Sequence, residues 1–303
     1  MPSPEAMDRR DFLKTGAAVA CAAVAGGAAA TPLLKTTDLP SIESFLQLHY
    51  QELTPEQKEQ IFKRIEGEVE RQYHVKAKVN DPQPLPGVEF AYGLNLTICI
   101  GCRKCVYACV RENNQSRYRQ IQYIRVLRIK KGSLDLAFAD HHYQAKEVPE
   151  EGYYYMPVQC HQCANPPCVK VCPIKATWKE QDGIVVIDYN WCIGCRYCQT
   201  TCPYWSRQFN YTEPHVHNDE INPDMGYLSN IPRTKGVVEK CHFCLHRTRV
   251  GKFPACLEAC PTGARKFGNM LDPNSEVSQI MKKHRVFILK EELGTVPRFF
   301  YYF

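Results

Sequence analysis

The sequence predicts an α+β fold in which a cysteine-loop module is duplicated, carries surface insertions and follows an N-terminal helical arm. Three observations lead to it. The phrase CIGCRKC at residues 99–105 returns as CIGCRYC at residues 192–198. Of 17 cysteines, sixteen fall between Cys99 and Cys260 in four groups of four. Ahead of them, Thr54-Pro55-Glu56-Gln57 has the form of a helix start: an N-cap, a first-turn proline and a glutamine three places after the cap.

The 303 residues, 44% hydrophobic and 23% charged, suffice for one large domain or two smaller ones and exclude a disordered or fibrous chain. Beyond residue 35 no apolar run approaches the roughly eighteen residues of a membrane span, so membrane contact is expected only through a partner. The formal charge of +6 raises the question of nucleic acid. Lys and Arg are scattered rather than gathered, however, and no nucleic-acid partner is expected.

Residues 1–30 read as an export signal. Arg9 and Arg10 precede Phe12, Leu13 and Lys14, and a mild Ala/Gly/Val stretch follows, which resembles a twin-arginine signal peptide with Asp8 in place of the usual Ser or Thr. Cleavage is expected after Ala28-Ala29-Ala30, discarding Cys21. Pro32 and the glycines disfavour an uncleaved anchor, and the residues before Cys21 make a poor lipoprotein signal. The twin-arginine route carries folded proteins, so a periplasmic destination does not commit these cysteines to disulfides.

Residues 31–90 form the helical arm and a linker: Ile61, Phe62, Ile65 and Val69 mark one apolar face, and Asp81-Pro82-Gln83-Pro84-Leu85-Pro86-Gly87 breaks regular structure. Residues 91–270 carry the cysteine groups, with an inner module at about 155–205. Two insertions interrupt them. IQYIRVLRI, Lys131-Gly132 and SLDLAF suggest a surface hairpin, and residues 205–238, polar and rich in Pro and Asn, suggest a long loop. Residues 271–303 form an extension ending in a run of aromatics, which either packs on the body or docks on a partner.

The first group places Cys99, Cys102, Cys105 and Cys109 at gaps of two, two and three. The third, Cys192, Cys195, Cys198 and Cys202, repeats that spacing. CHQCANPPCVKVCP supplies Cys160, Cys163, Cys168 and Cys172, and CHFC with CLEACP supplies Cys241, Cys244, Cys256 and Cys260. A cubane of four irons and four sulfides needs four thiolates, of which a tight loop can provide three. The last cysteine of a group lies one helical turn further on and points to a second cubane. Proline follows Cys172, Cys202 and Cys260, where it ends the short helix, while Val110 stands in that place in the first group. Disulfides fit poorly where three cysteines lie within seven residues, and zinc would leave most of each group unused. The repeated phrase is thus the ligand loop of a duplicated, bacterial ferredoxin-like two-cluster module.

On these motifs the chain resembles the four-cluster iron–sulfur subunits of respiratory oxidoreductases, such as those handling dimethyl sulfoxide, polysulfide and tetrathionate, from about Ala91 onward. The resemblance implies four [4Fe-4S] clusters held by all sixteen cysteines. It further implies that Cys260 completes the set Cys99, Cys102, Cys105, that Cys109 completes Cys241, Cys244, Cys256, that Cys202 completes Cys160, Cys163, Cys168, and that Cys172 completes Cys192, Cys195, Cys198. Some relatives lack the cysteine at the place of Cys195 and hold a three-iron cluster there. Four oxidised cubanes with their thiolates contribute about −8, turning the formal +6 into about −2. Arg103, Lys104, Lys170, Lys175 and Arg196 lie beside these cysteines and are candidates for raising reduction potentials. His161 and His242, inside CHQC and CHFC, are expected beside the clusters or at the surface and not as ligands.

With no nucleotide loop, Rossmann turn or haem-attachment motif, the chain reads as an electron wire rather than an enzyme. The resemblance implies a molybdopterin-type catalytic subunit on one side and a quinone-linked integral membrane subunit on the other. The alternatives are the same wire in a periplasmic hydrogenase, a free-standing periplasmic ferredoxin, and an enzyme with an open iron corner, for which sixteen ligands leave no room.

Overall fold

A computed structural model of the chain describes residues 53–118, 121–136, 138–144 and 146–303. The expected export signal and the start of the arm lie outside these residues. The chain divides into residues 1–49 and residues 50–303, and the second unit contains everything described below.

Helix Pro55–Tyr73 begins where the sequence signals it. Thr54 Oγ1 accepts from the Gln57 N–H at 3.3 Å, and Gln57 Oε1 accepts in return from the Thr54 N–H at 2.9 Å, so two of the orphan donors of the first turn are satisfied reciprocally. Ile65, Val69 and Tyr73 are buried, while Phe62 meets Tyr227 with ring centroids 5.7 Å apart. The strand that follows, Lys78–Asn80, pairs in parallel with Asp224–Gly226.

The largest sheet has four strands in the order Arg265–Asn269, Phe90–Asn95, Phe299–Tyr302, Val286–Phe287. Because strand side chains alternate, the aromatic run of the tail serves both faces. Phe300 and Tyr302 join Ala91 in a cluster with Val277 and Ile280 of helix Glu276–Lys283. Phe299, by contrast, stacks on Tyr92 at 5.1 Å, and Tyr92 reaches Cys256. The tail therefore packs on the body, with Phe299–Tyr302 buried and Phe303 exposed.

Two expectations need correction. Arg125–Lys130 is a strand, but its antiparallel partner is Tyr153–Val158, not SLDLAF, and an isolated bridge joins Arg128 to Asp140, just beyond that segment. Leu134 lies exposed and finds no core, whereas Tyr155, Met156 and Val158 bury completely enough to anchor a strand. Residues 205–238 are not one loop. They hold the strands Arg207–Phe209 and Asp224–Gly226, and a buried amide ties the second of these to the residues that follow it: Asn230 accepts from the Gly226 N–H at 2.8 Å and donates to the Asp224 carbonyl at 2.9 Å. Polarity here marks internal hydrogen bonding rather than exposure.

Among the described residues no helix is long and apolar enough to cross a membrane. One buried ion pair ties the linker to the cysteine-bearing body. Arg249 donates to Asp182 at 2.7 and 3.1 Å, pairs with Glu180, and donates to the Pro82 carbonyl at 3.0 Å; the Arg249 and Asp182 side chains are 1% and 0% exposed. Removing one partner leaves a charge without compensation in a dry site. Asp182→Asn is expected to lower stability by about 3 kcal/mol, the low end for a broken buried pair because Glu180 remains. Thermal unfolding followed by circular dichroism checks this, and an unshifted midpoint would contradict it.

Candidate metal centre

The two copies of the repeated phrase fold alike. Gly101 and Arg103 take φ of 71° and 58°, and Gly194 and Arg196 take 72° and 65°. Each loop thus winds left-handed just before a helix, Lys104–Glu112 in the first and Tyr197–Thr201 in the second. Glycine is required at Gly194 on two counts, because a Cβ there would also stand 2.1 Å from the Gly236 carbonyl oxygen.

The three groups that end in Cys-Pro share a sequel. The N–H of the third residue after the cysteine closes a turn on the cysteine carbonyl: Lys175 on Cys172 at 3.3 Å, Trp205 on Cys202 at 3.2 Å, Gly263 on Cys260 at 3.3 Å. That residue is left-handed each time, with φ of 54°, 48° and 64°. Strands then begin two residues later, at Thr177, Arg207 and Arg265. Where Val110 replaces the proline, the helix runs on to Glu112, and the Asn113 N–H donates to the Cys109 carbonyl at 3.1 Å. The missing proline is thus the reason that the first group has the longer helix.

These loops gather the cysteines into four sets. Cys99, Cys102, Cys105 and Cys260 line one cavity, here site A. Cys109 lies beside Cys241, Cys244 and Cys256 in site B, where the Asn113 side-chain amide is 3.5 Å from Cys109 Sγ and 3.7 Å from Cys244 Sγ. Cys163 lies beside Cys160, Cys168 and Cys202 in site C. Cys172, Cys192, Cys195 and Cys198 line a second cavity, site D. Cys241 neighbours Cys160, so B adjoins C. All sixteen are free thiols, and Cys195 is the one that is exposed.

Burial pushes several of these thiols up: Cys99 to about 11, Cys163 to about 12, Cys244 to about 12, and Cys109 and Cys241 well above their ordinary value. Neighbouring cysteines add to the rise, since several adjacent thiolates repel one another. Such sets ionise only against positive charge. The interior holds that charge in an unusual form. Arg207, Lys240 and Arg265 are 2%, 1% and 2% exposed, and among the described residues no carboxylate lies within ion-pair reach of any of them. Arg207 and Lys240 even stand opposite each other in the antiparallel pair of Arg207–Phe209 with Val238–Lys240, a placement that repulsion disfavours unless anions lie close by. Arg207 donates to Cys168 Sγ at 3.1 Å, yet its Nε and Nη1 have no partner among the described residues. Converging thiols, uncompensated buried cations and free donors fit an anionic cluster with thiolate ligands.

Sequence reasoning missed these cations. It pointed to Arg103, Lys104, Lys170, Lys175 and Arg196, which adjoin cysteines in the chain but are not buried. It also missed the amides of Asn113 and Gln115, the latter donating to Cys109 Sγ at 3.3 Å. A usable signal was the arginine five residues after the cysteine of a Cys-Pro pair, present twice. Neither histidine reaches the surface. His161 stacks on Tyr204 at 3.9 Å and on Phe299 at 5.3 Å, and burial pushes its pKa down to about 3, so it stays neutral. His242 Nδ1 accepts from the Leu245 N–H at 3.3 Å, satisfying a donor in the first turn of helix Leu245–Thr248.

Cysteine loops of this number, set in a mixed fold of short helices and strands, define a ferredoxin-like iron–sulfur protein. Two family models, both described as a 4Fe-4S dicluster domain, match residues 98–176 and residues 152–218 with 228–270. A subunit of the selenate reductase of Mesobacillus selenatarsenatis is 35% identical over 306 residues, covering 97% of this chain and 96% of that protein. Hdr-like menaquinol oxidoreductase iron-sulfur subunit 1 of Archaeoglobus fulgidus is 44% identical over 207 residues, 65% of this chain and 71% of that one. A subunit of the tetrathionate reductase of Salmonella typhimurium is 33% identical over 218 residues, 71% and 73% of the two chains. The chain belongs to this family of 4Fe-4S iron–sulfur subunits of respiratory reductases, and its task is electron transfer, not substrate turnover. The match to the selenate protein extends past the expected limit near Ala91 and takes in the arm as well.

Gly194→Ala is expected to lower the iron bound per chain, since the new Cβ collides with backbone that cannot swing aside. Gly67→Ala, which meets open space on helix Pro55–Tyr73, should leave iron unchanged. Iron and protein assays on anaerobically purified chains decide this, and equal iron in both variants would contradict it.

Proposed function

We propose that the sixteen cysteines hold four [4Fe-4S] clusters, one in each of sites A to D, and that the chain relays electrons one at a time between a molybdopterin-type catalytic subunit and a quinone-linked membrane subunit. The observation that carries this reading is the convergence of four thiols at each of four adjoining places. Cys260, Cys109, Cys202 and Cys172 are then the ligands that each group sends to its neighbour's site. Each bound cluster would supply reversible one-electron chemistry.

What the protein contributes is position, burial and hydrogen bonding. Asn113 and Gln115 aim amide donors at the sulfurs of site B, and Tyr92 places its hydroxyl 3.3 Å from Cys256 Sγ. Such contacts stabilise the more negative, reduced state and raise the potential. The four sites follow one another in the order A, B, C, D, supported by the contacts of Cys105 and Cys256 with Arg265 and of Cys160 with Cys241. Residues 91–270 are a duplicated two-cluster module with its inner half at about 155–205. The assignments of residues 1–30 to a twin-arginine signal, 31–90 to an arm and 271–303 to an extension complete a subunit exported folded to the periplasm. Membrane association then comes through the quinone-linked partner.

The mature chain, purified without oxygen, is expected to carry about sixteen irons and a paramagnetic signal that develops on reduction. About twelve irons, with a three-iron signal in the oxidised protein, would refute four complete cubanes. Cys195→Ser is expected to alter the cluster at site D first; unchanged iron and unchanged spectra would refute the ligand assignment.

A further inference from the structure

The strands that follow the Cys-Pro turns begin at equivalent places, five residues past Cys260, Cys202 and Cys172. Two of these places hold buried arginines. Arg265 Nη2 is 3.4 Å from Cys105 Sγ, in site A, while its Nη1 is 3.8 Å from Cys256 Sγ, in site B. Its further contacts, to Gln159 Oε1 at 2.8 Å and to the Tyr92 hydroxyl at 3.4 Å, hold the fork between the two sites. Arg207 repeats the arrangement. Its Nη2 donates to Cys168 Sγ of site C at 3.1 Å, and the charge also neighbours Cys198 of site D. The third place holds Thr177, whose hydroxyl accepts from the same Arg207 Nη2 at 3.0 Å and so keeps it in position. The cation between B and C behaves differently: Lys240 donates to the carbonyls of Cys241 and Val185 and, among the described residues, to no thiol.

We propose that Arg265 and Arg207 are potential-setting residues, each acting on two adjacent clusters at once, Arg265 on A and B and Arg207 on C and D. The inference rests on the four-cluster reading above. A positive charge held against ligands of two clusters stabilises an added electron on either, so both potentials of a pair rise together. The planar guanidinium suits this place: Arg265 aims two donors from one charged centre at two sulfurs, while Arg207 meets Cys168 with one donor and sets the same charge beside Cys198. The wire is then two matched pairs joined at the B–C contact.

Potentiometric titration of the full, cluster-loaded chain, followed by electron paramagnetic resonance, tests this. Four one-electron steps are expected in the unaltered protein; fewer, with iron well below sixteen per chain, overturn the four-cluster reading and the inference with it. Given four steps, Arg265→Gln is expected to move two of them to lower potential, each by about tenfold in its reduction equilibrium, or 59 mV for one electron. Arg207→Gln is expected to move the other two. A variant that moves one step, all four or none overturns the pairing while leaving the clusters themselves intact. Should a glutamine variant fail to hold its iron, the corresponding Arg→Lys variant decides. It keeps the charge but not the guanidinium's placement against the sulfurs, so a smaller downward move of the same two steps supports the inference and four unmoved steps overturn it.

Discussion

The structure depends on keeping many thiols ionised inside a protein. A buried thiol prefers its proton, and several together resist ionisation more strongly still. Iron supplies most of the opposing charge, but the chain adds Arg207, Lys240 and Arg265, none of them matched to a carboxylate among the described residues. Elsewhere the same protein follows the ordinary rule: Arg233 meets Glu239 at 3.0 Å and Arg249 meets Asp182. Among the described residues these three buried cations without a carboxylate all lie beside cysteines. The formal +6 of the chain is therefore in part an interior property and a poor guide to what its surface attracts.

The local geometry follows from this need. A loop that wraps three thiols around one point must turn tightly, which is why left-handed residues recur at Gly101, Arg103, Gly194 and Arg196. The fourth thiol must leave its own loop, and a helix of one or two turns carries it away. Proline then stops the helix so that the chain can enter a strand at a fixed distance beyond the cysteine. Strand pairing fixes the direction of the first side chain of that strand. The sheet thus does more than pack: it delivers Arg265 and Arg207 to the cysteines at equivalent places. The aromatic tail completes the sheet, and Phe299 and Tyr92 cover site B with rings that exclude water.

Much of this was legible in the sequence where the signal is local. Spacing alone sorted sixteen cysteines into groups, and the Thr54 cap was readable because its partners lie three residues apart. What depended on distant partners was not. Arg125–Lys130 declares itself a strand by composition, yet the nearby SLDLAF offers a plausible mate and only packing rejects it in favour of Tyr153–Val158. The stretch 205–238 looked like a long loop because it is polar and rich in Pro and Asn; here Asn210 and Asn230 are buried because their amides find internal partners, the Glu239 carboxylate and the Gly226 N–H. The buried arginines were hardest to foresee. A single arginine in a short strand carries no signature, and only comparison of the three Cys-Pro sequels with one another picks out the position.

Burial also differs from site to site, and a wire needs a protein of this size to offset the difference. Site B is closed on all sides, its four cysteines buried, whereas site D reaches the surface at Cys195 and site A has partly exposed cysteines. Exposure stabilises a more negative cluster by hydration, and burial takes that help away. An interior site would then fall to a lower potential than the terminal ones unless protein dipoles and charges replaced the lost water. Site B receives that replacement in full: the Asn113 and Gln115 amides, the Tyr92 hydroxyl and one branch of Arg265 all converge on its sulfurs. Buried and exposed sites can thereby hold an electron at comparable cost, which is the condition for charge to pass along a chain without stopping in it.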